Sequence, residues 1–330
     1  MEIGGASAPL LFGVLMKQKE EMNNPARAGS RVDFSCADVI LVRRIFSSRV
    51  LKELANGWLP MELSAVLRSL ESNGHLNEGA TLSSIYEHAF KYCFKNQRVE
   101  YFYKNAVIQK LVLGRSSLAA TAAFLEVRIA GAKLDVLLAK DCINAFEIKT
   151  DFDELARLPS QVSAYQHACR EVSVVTSDRY ASAVERSTGR EIGVYVLTDR
   201  YQLHTIRAPE KFDSCLVRSD MLALLRRREL VELIDAYGRT SACIPNTRLY
   251  QEALAACQGV GLIELNSFVA NRLRRRSAKK GSLVSGLPMS LAASAMAQDL
   301  THTQIARLIR LFEMDVTGGI QNELSPVFPR

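Results

Sequence analysis

The stretch from Thr121 to Thr150, TAAFLEVRIAGAKLDVLLAKDCINAFEIKT, constrains the fold more than any other part of the chain. It divides into three short apolar runs, TAAFLEVRIAG, AKLDVLLAKD and CINAFEIKT, separated by Gly131 and by the polar pair Lys140 and Asp141. Runs of that length bounded by turn residues read as strands, and three in succession predict a meander. FDELARLPSQVSAYQHACR then reads as a helix, EVSVVTS as a buried strand, DRYASAVERSTGR as a helix and EIGVYVLTD as a strand, with RYQLHTIRA pairing beside it. Before the meander, residues 98–113 form an amphipathic helix by their apolar spacing. This alternation predicts an α/β protein whose mixed central sheet is flanked by helices.

The flanks read differently. ADVILVRRIFSSRVLKELANG, LPMELSAVLRSLESNG and TLSSIYEHAFKYCFKN each place apolar residues three and four apart, the mark of helices. Residues 1–30 carry Gly, Ala, Ser, Asn and Pro without sustained period and read as a loose arm. Beyond Ser219 the pattern is helical again, SAKKGSLVSGLP reads as a linker, and Thr301 with Gln304 forms a capping box opening a last helix. The expected divisions are an arm over 1–30, a helical region over 31–97, an α/β core over 98–215 and a helical, basic region over 216–330.

Charge and cysteine usage narrow the function classes. The formal net charge is +7, and the window from Arg226 to Lys280 carries eleven Lys or Arg against five Asp or Glu. A local excess of that sign favours an anionic partner such as nucleic acid. The seven cysteines are scattered, without any C-x-x-C, which argues against a disulfide framework or zinc ribbon and for a reducing compartment. No segment reaches the roughly 18 to 20 apolar residues of a membrane span. The expectation is a cytoplasmic protein with no membrane partner.

Within the meander, alternate strand residues share a face, so Glu147 and Lys149 point one way while Phe146 and Ile148 point the other. Asp135 lies on the preceding strand, and a hairpin turning near Lys140 to Cys142 brings it beside Glu147. Two carboxylates with an ammonium next to them suit a hard divalent cation, Mg²⁺ or Mn²⁺, with the Ile148 carbonyl as an extra ligand. A phosphodiester is already anionic, so its hydrolysis needs such charge neutralisation and an activated water. Lys149 is placed to orient that water and offset charge in the transition state.

Asp135, eleven intervening residues and then Glu147-Ile148-Lys149 resemble the signature of the PD-(D/E)XK nuclease superfamily. Gln161 and Tyr165, four apart on the following helix, resemble the Q-x-x-x-Y element of its RecB-like members. EYFYKN at 100–105, LEVR at 125–128, EIKTDFD at 147–153 and RLPSQVSAY at 157–165 resemble more closely an uncharacterised bacterial family within that superfamily. The resemblance covers residues 98–240, and Leu134 stands where the pattern has Pro. It implies a restriction-endonuclease-like core over 98–215, helix, three strands, helix, strand, and a metal-dependent nuclease acting on DNA ahead of RNA. The alternative is a catalytically idle nuclease-like module binding nucleic acid or protein in a bacterial defence or mobile-element system. A homodimer or a partner protein is compatible with either.

Other residues have open readings. Glu126 either adds a carboxylate to the site or pairs with Arg128 or Lys133. Glu100 and Lys104, at i and i+4, read as a surface salt bridge, and Asp153 with Arg157 likewise. Gln161 and Tyr165 hold either the Lys149 amine or a phosphate, or simply face the sheet. Arg272, Arg274, Arg275, Arg276, Lys279 and Lys280 form either a phosphate-contacting arm or a solvated helix end. The five histidines show no spacing suited to a metal site.

Overall fold

A computed structural model describes residues 32–34, 37–114, 120–238, 244–277, 280–317 and 320–326. The expected arm at 1–30 lies outside the described residues. The chain forms two units, one of residues 1–92, 285–288 and 300–330, the other of residues 93–284 and 289–299.

The first unit is helical, as the three- and four-residue spacing requires. Helices Val39–Arg43, Ser48–Ala55 and Met61–Ser72 bury Ile45, Leu51, Leu54, Leu63 and Leu70. Phe46 packs edge-on against Tyr86, whose ring lies 5.1 Å from Phe312 of the helix His302–Glu313. Thr301 caps that helix and Gln304 returns to the Thr301 backbone, forming the anticipated capping box. Strand β1 (Trp58–Leu59) pairs in parallel with Ser325–Pro326. The helix His302–Glu313 and the strand Ser325–Pro326 therefore belong to the same unit as the N-terminal helices, a grouping that is not contiguous in the chain.

The second unit is an α/β layer structure around a six-stranded mixed sheet. Its strands, β2 (Ala122–Ile129), β3 (Ala132–Ala139), β4 (Ile143–Lys149), β5 (Glu171–Thr176), β6 (Gly193–Leu197) and β7 (Leu203–Arg207), lie side by side in chain order. β2, β3 and β4 are antiparallel neighbours, β4, β5 and β6 are parallel, and β7 returns antiparallel to β6. Ala130 and Gly131 both have positive φ, the requirement of the tight turn whose twist matches its flanking strands. The parallel steps are made by helices Leu158–Gln166 and Asp178–Ser187.

Ile143 and Ala145 of β4, Val172 and Val174 of β5 and Val194 of β6 share one core with Leu158, Val162 and Tyr165. Leu265, Val269 and Leu273 of the helix Leu262–Ser277 join the same core. The expected linker SAKKGSLVSGLP instead contains a helix, Gly281–Ser285, because Leu283, Val284 and Leu287 are apolar at helical spacing and buried. No helix among the described residues is long and apolar enough to cross a membrane.

Candidate functional site

β4 is third of six strands, and its carboxyl end, where Glu147 and Lys149 sit, adjoins the place where β3 leaves it. The β3–β4 ladder runs from Ala139 and Ile143 to Val136 and Phe146. One residue further, the Asp135 side chain replaces the backbone, its Oδ2 accepting from Ile148 N at 2.8 Å. In open α/β sheets ligands bind at the carboxyl ends of strands, where chains diverge and leave a crevice. Asp135, Glu147 and Lys149 thus meet in the interior of the sheet, not at a lateral edge.

Glu147 and Lys149 are 2% and 4% exposed. Lys149 Nζ donates to Glu147 Oε1 at 2.9 Å and to Gln161 Oε1 at 2.8 Å. The Tyr165 hydroxyl lies 2.7 Å from Glu147 Oε2 and 2.9 Å from the Lys133 carbonyl. The spacing explains the match: two residues along a strand cover about 6.6 Å and four along a helix about 6.0 Å, so Gln161 and Tyr165 address Lys149 and Glu147 in register. Burial, then the Glu147 charge, push the Tyr165 phenol up, so it stays a neutral donor.

The helix Glu100–Val107 supplies a residue that the sequence reading placed on the surface. Lys104 is buried, and its ammonium reaches Glu100, Glu126 Oε1 at 3.2 Å and Asp135 Oδ1 at 3.4 Å. The exposed Glu100 is therefore one of several carboxylates around a buried ammonium, and the i, i+4 pair is not a simple surface bridge. The reason is that residues 102–107 of this helix are all buried, leaving Lys104 no path to solvent except past carboxylates. Burial works against the Lys104 charge, but Asp135, Glu100 and Glu126 outweigh it and raise the ammonium above its ordinary value.

Glu126 both joins this cluster and pairs with Lys133 at 2.7 Å, which, with Lys104, holds its carboxyl below the usual range. Its φ is +57° in mid-strand, between the pairs Leu125 with Val136 and Val127 with Leu134, directly opposite Asp135. Left-handed backbone in a non-glycine residue costs on the order of 1–3 kcal/mol and concentrates where function requires it. Asp153 accepts from the Thr150 amide and hydroxyl at 2.8 and 2.7 Å, so it closes the turn after β4 in place of the expected pairing with Arg157.

Asp135 is the electrostatically loaded member. Burial, then Glu147 and Glu100, push its carboxyl from an ordinary 3.8 up to about 7, against the opposing pull of Lys104 and the Ile148 amide. Because the folded chain holds this proton more tightly than the unfolded chain, the linked stability is lost as pH rises from about 4 to about 7. In EDTA, Asp135→Asn is expected to melt with the wild type near pH 5 and to gain on it by pH 8. Melts at both pH values check this, and a constant difference refutes it.

Asp135 and Glu147 are the residues of this cluster that could hold a hard divalent cation. Asp135 and Glu147 offer carboxylate oxygens whose mutual repulsion such an ion relieves, and exposure rises outward from Glu147 to Asp135, then to Glu100 and Glu126. Among the described residues no group of three or more His, Cys, Asp or Glu is arranged to hold a metal ion. A cation here would have Asp135 and Glu147 as its side-chain ligands, with the Ile148 carbonyl between them in the chain.

The basic run is largely occupied. On the helix Leu262–Ser277 the four-residue spacing turns Arg272 and Arg276 to one side, where Arg272 pairs with Glu232 at 2.9 Å and Arg276 with Glu229. Arg276 also donates to the Leu224 carbonyl at 3.0 Å, and Lys280 to that of Met296. Burial lowers the Lys280 ammonium from its ordinary value. Arg274 is half-buried, Arg275 is exposed, and Lys279 lies outside the described residues.

A match of 25% identity over 147 residues joins the chain to Protein cII of Enterobacteria phage P4, covering 44% of this chain and 54% of that protein. The chain thus spans about half the length of that relative. A solved structure of a protein of unknown function from Silicibacter pomeroyi is 16% identical, covering 37% of this chain and 86% of its own, with a TM-score of 0.24. Residues 94–304 match the family described as Bacteriophage P4 protein cII, beginning one residue inside the second unit and including every residue of the candidate site. The chain belongs to the Bacteriophage P4 protein cII family.

Proposed function

We propose that this chain is a metal-dependent nuclease that hydrolyses phosphodiester bonds, DNA ahead of RNA, with a PD-(D/E)XK-like site. The observation that carries the reading is the meeting of Asp135, Glu147 and Lys149 at one strand end, with Gln161 and Tyr165 each bonded to one member of the pair. A structural ion pair needs no such apparatus. Here a helix fixes both charges of the E-x-K pair, β3 supplies Asp135 with its raised carboxyl, and β2 supplies Glu126 on left-handed backbone.

Asp135 and Glu147 would hold Mg²⁺ or Mn²⁺, which supplies positive charge to a phosphate oxygen and eases attack by water. Tyr165 fixes Glu147 through Oε2 and Lys149 donates to Oε1, so the carboxylate that would help hold the ion is fixed in place. Gln161 keeps the Lys149 ammonium beside the carboxylates rather than swung away. Lys149 then donates to the phosphate as negative charge grows on its oxygens. In the reaction a water oxygen bonds to phosphorus and the bond to one ester oxygen breaks. The departing oxygen takes a proton from solvent, and the attacking water releases one.

Arg275 is the member of the basic run best placed to meet phosphate, since Arg272, Arg276 and Lys280 are engaged within the unit. The mutual saturation of Glu147, Lys149, Gln161 and Tyr165 favours one competing reading, the catalytically idle nuclease-like binding module. It needs no metal and no exposed carboxylate. A homodimer or partner protein belongs with either reading.

The test is conversion of supercoiled plasmid by the purified full chain. Nicked or linear product is expected with Mg²⁺ or Mn²⁺ and none in EDTA. Intact plasmid and RNA under all divalent metals, together with salt-dependent retention of DNA, would replace the enzyme by the binding module.

A further inference from the structure

A second lysine is built into the carboxylate cluster, and the E-x-K pattern does not account for it. Lys104 approaches from the helix Glu100–Val107 and is itself 6% exposed. Its ammonium touches three carboxylates from three different elements: Glu100 of its own helix, Glu126 of β2 and Asp135 of β3. The Glu126 contact depends on the mid-strand residue at φ +57°, which interrupts the pairing opposite Asp135. Lys133 neutralises the other Glu126 oxygen at 2.7 Å, so the remaining charge of Glu126 is directed at Lys104.

Phosphodiester hydrolysis at a carboxylate site often uses two cations, one for the attacking and one for the departing oxygen, held about 3.5–4 Å apart by shared carboxylates. Asp135 is the carboxylate between the two lysines' elements: Oδ1 lies 3.4 Å from Lys104, and Oδ2 accepts from the amide of Ile148, the β4 residue between Glu147 and Lys149. The Lys104 ammonium occupies the space between these carboxylates, in contact with Glu100 and at 3.2 and 3.4 Å from the Glu126 and Asp135 oxygens. The outer position is thus fitted to a fixed organic cation.

We propose that Lys104 is a positioning residue whose ammonium takes the place of a second divalent cation, so that the site binds one metal ion and the chain itself supplies the other charge. The inference rests on the nuclease reading and sharpens it. Substituting Lys104→Met keeps the length of the side chain and removes its charge, leaving Glu100, Glu126 and Asp135 with an unbalanced negative charge that Mn²⁺ can satisfy. Lys104→Arg keeps the charge.

The experiment is Mn²⁺ titration of the full chain, with free Mn²⁺ followed by electron paramagnetic resonance, on wild type, Lys104→Met and Lys104→Arg. One ion is expected per wild-type chain and per Lys104→Arg chain, and two per Lys104→Met chain, with a spin-coupled signal from the pair. Melting curves keep the test decisive if Lys104→Met is unstable. Its melting temperature should fall in EDTA and recover with Mn²⁺ by more than the wild type gains. One ion in Lys104→Met with no extra Mn²⁺ rescue, or two ions in the wild type, overturns the proposal and leaves the nuclease reading standing. A wild type that binds no Mn²⁺ overturns both.

Discussion

Lys149→Ala is expected to lower phosphodiester cleavage by a factor on the order of 10² or more while leaving Mn²⁺ binding intact, since it removes charge that matters most in the transition state. In the folded chain the Lys149 ammonium donates to Glu147 Oε1. Removing it frees an oxygen that a metal ion can use, so Mn²⁺ affinity should hold or rise. The same change leaves Glu147, 2% exposed, with the Tyr165 hydroxyl as its hydrogen-bond donor and without a cation on its Oε1. Breaking a buried ion pair on one side destabilises strongly, so the variant should melt lower than wild type in EDTA and regain much of the loss with Mn²⁺. Calorimetric titration beside a plasmid assay below the melting point reads both effects. Unchanged cleavage, or a loss of Mn²⁺ affinity, would assign Lys149 a purely structural role.

How much of this was legible in the sequence depends on the range over which each residue's partners lie. Glu147 and Lys149 show their common face through strand alternation, and Asp135 through the length of the hairpin, because both relations are fixed by local geometry. Gln161 and Tyr165 were legible for a related reason: the rise of four helical residues nearly equals that of two strand residues. Lys104 was not, since Glu100 four residues earlier offers it a sufficient local partner, and only the burial of residues 102–107 shows that it faces inward. The left-handed backbone at Glu126 has no mark in the sequence, as glutamate carries no preference for it.

The pairing of the basic run is illegible for the opposite reason. Arg272, Arg276 and Lys280 read as free charge because their partners, Glu232, Glu229 and the Met296 carbonyl, are remote in the chain or belong to the backbone. Charge counts report composition, and pairing is a property of the fold. Likewise, the division into units places residues 300–330 with the N-terminal helices across an interval that no local signal spans.

Asp135→Asn is expected to abolish both Mn²⁺ binding and cleavage, and the comparison with Lys149→Ala separates ligand from electrophile. With Asp135 neutral, Glu147 is left as the charged metal ligand proposed for the chain, and a Mg²⁺ or Mn²⁺ site held by so few protein groups does not survive that loss. Asparagine is the informative choice, because its amide oxygen can still accept from the Ile148 amide where the ladder between β3 and β4 ends. Alanine would leave that amide unpaired, at a cost of about 1–3 kcal/mol that confuses folding with function. The asparagine variant also removes a carboxyl that burial, Glu147 and Glu100 push up to about 7, so its stability at pH 8 should exceed that of metal-free wild type even though its activity is gone. A more stable protein that neither binds Mn²⁺ nor cleaves DNA would identify Asp135 as a group held in an unfavourable state for the sake of a cation. An asparagine variant that still takes up Mn²⁺ with wild-type affinity would remove Asp135 from the metal site altogether.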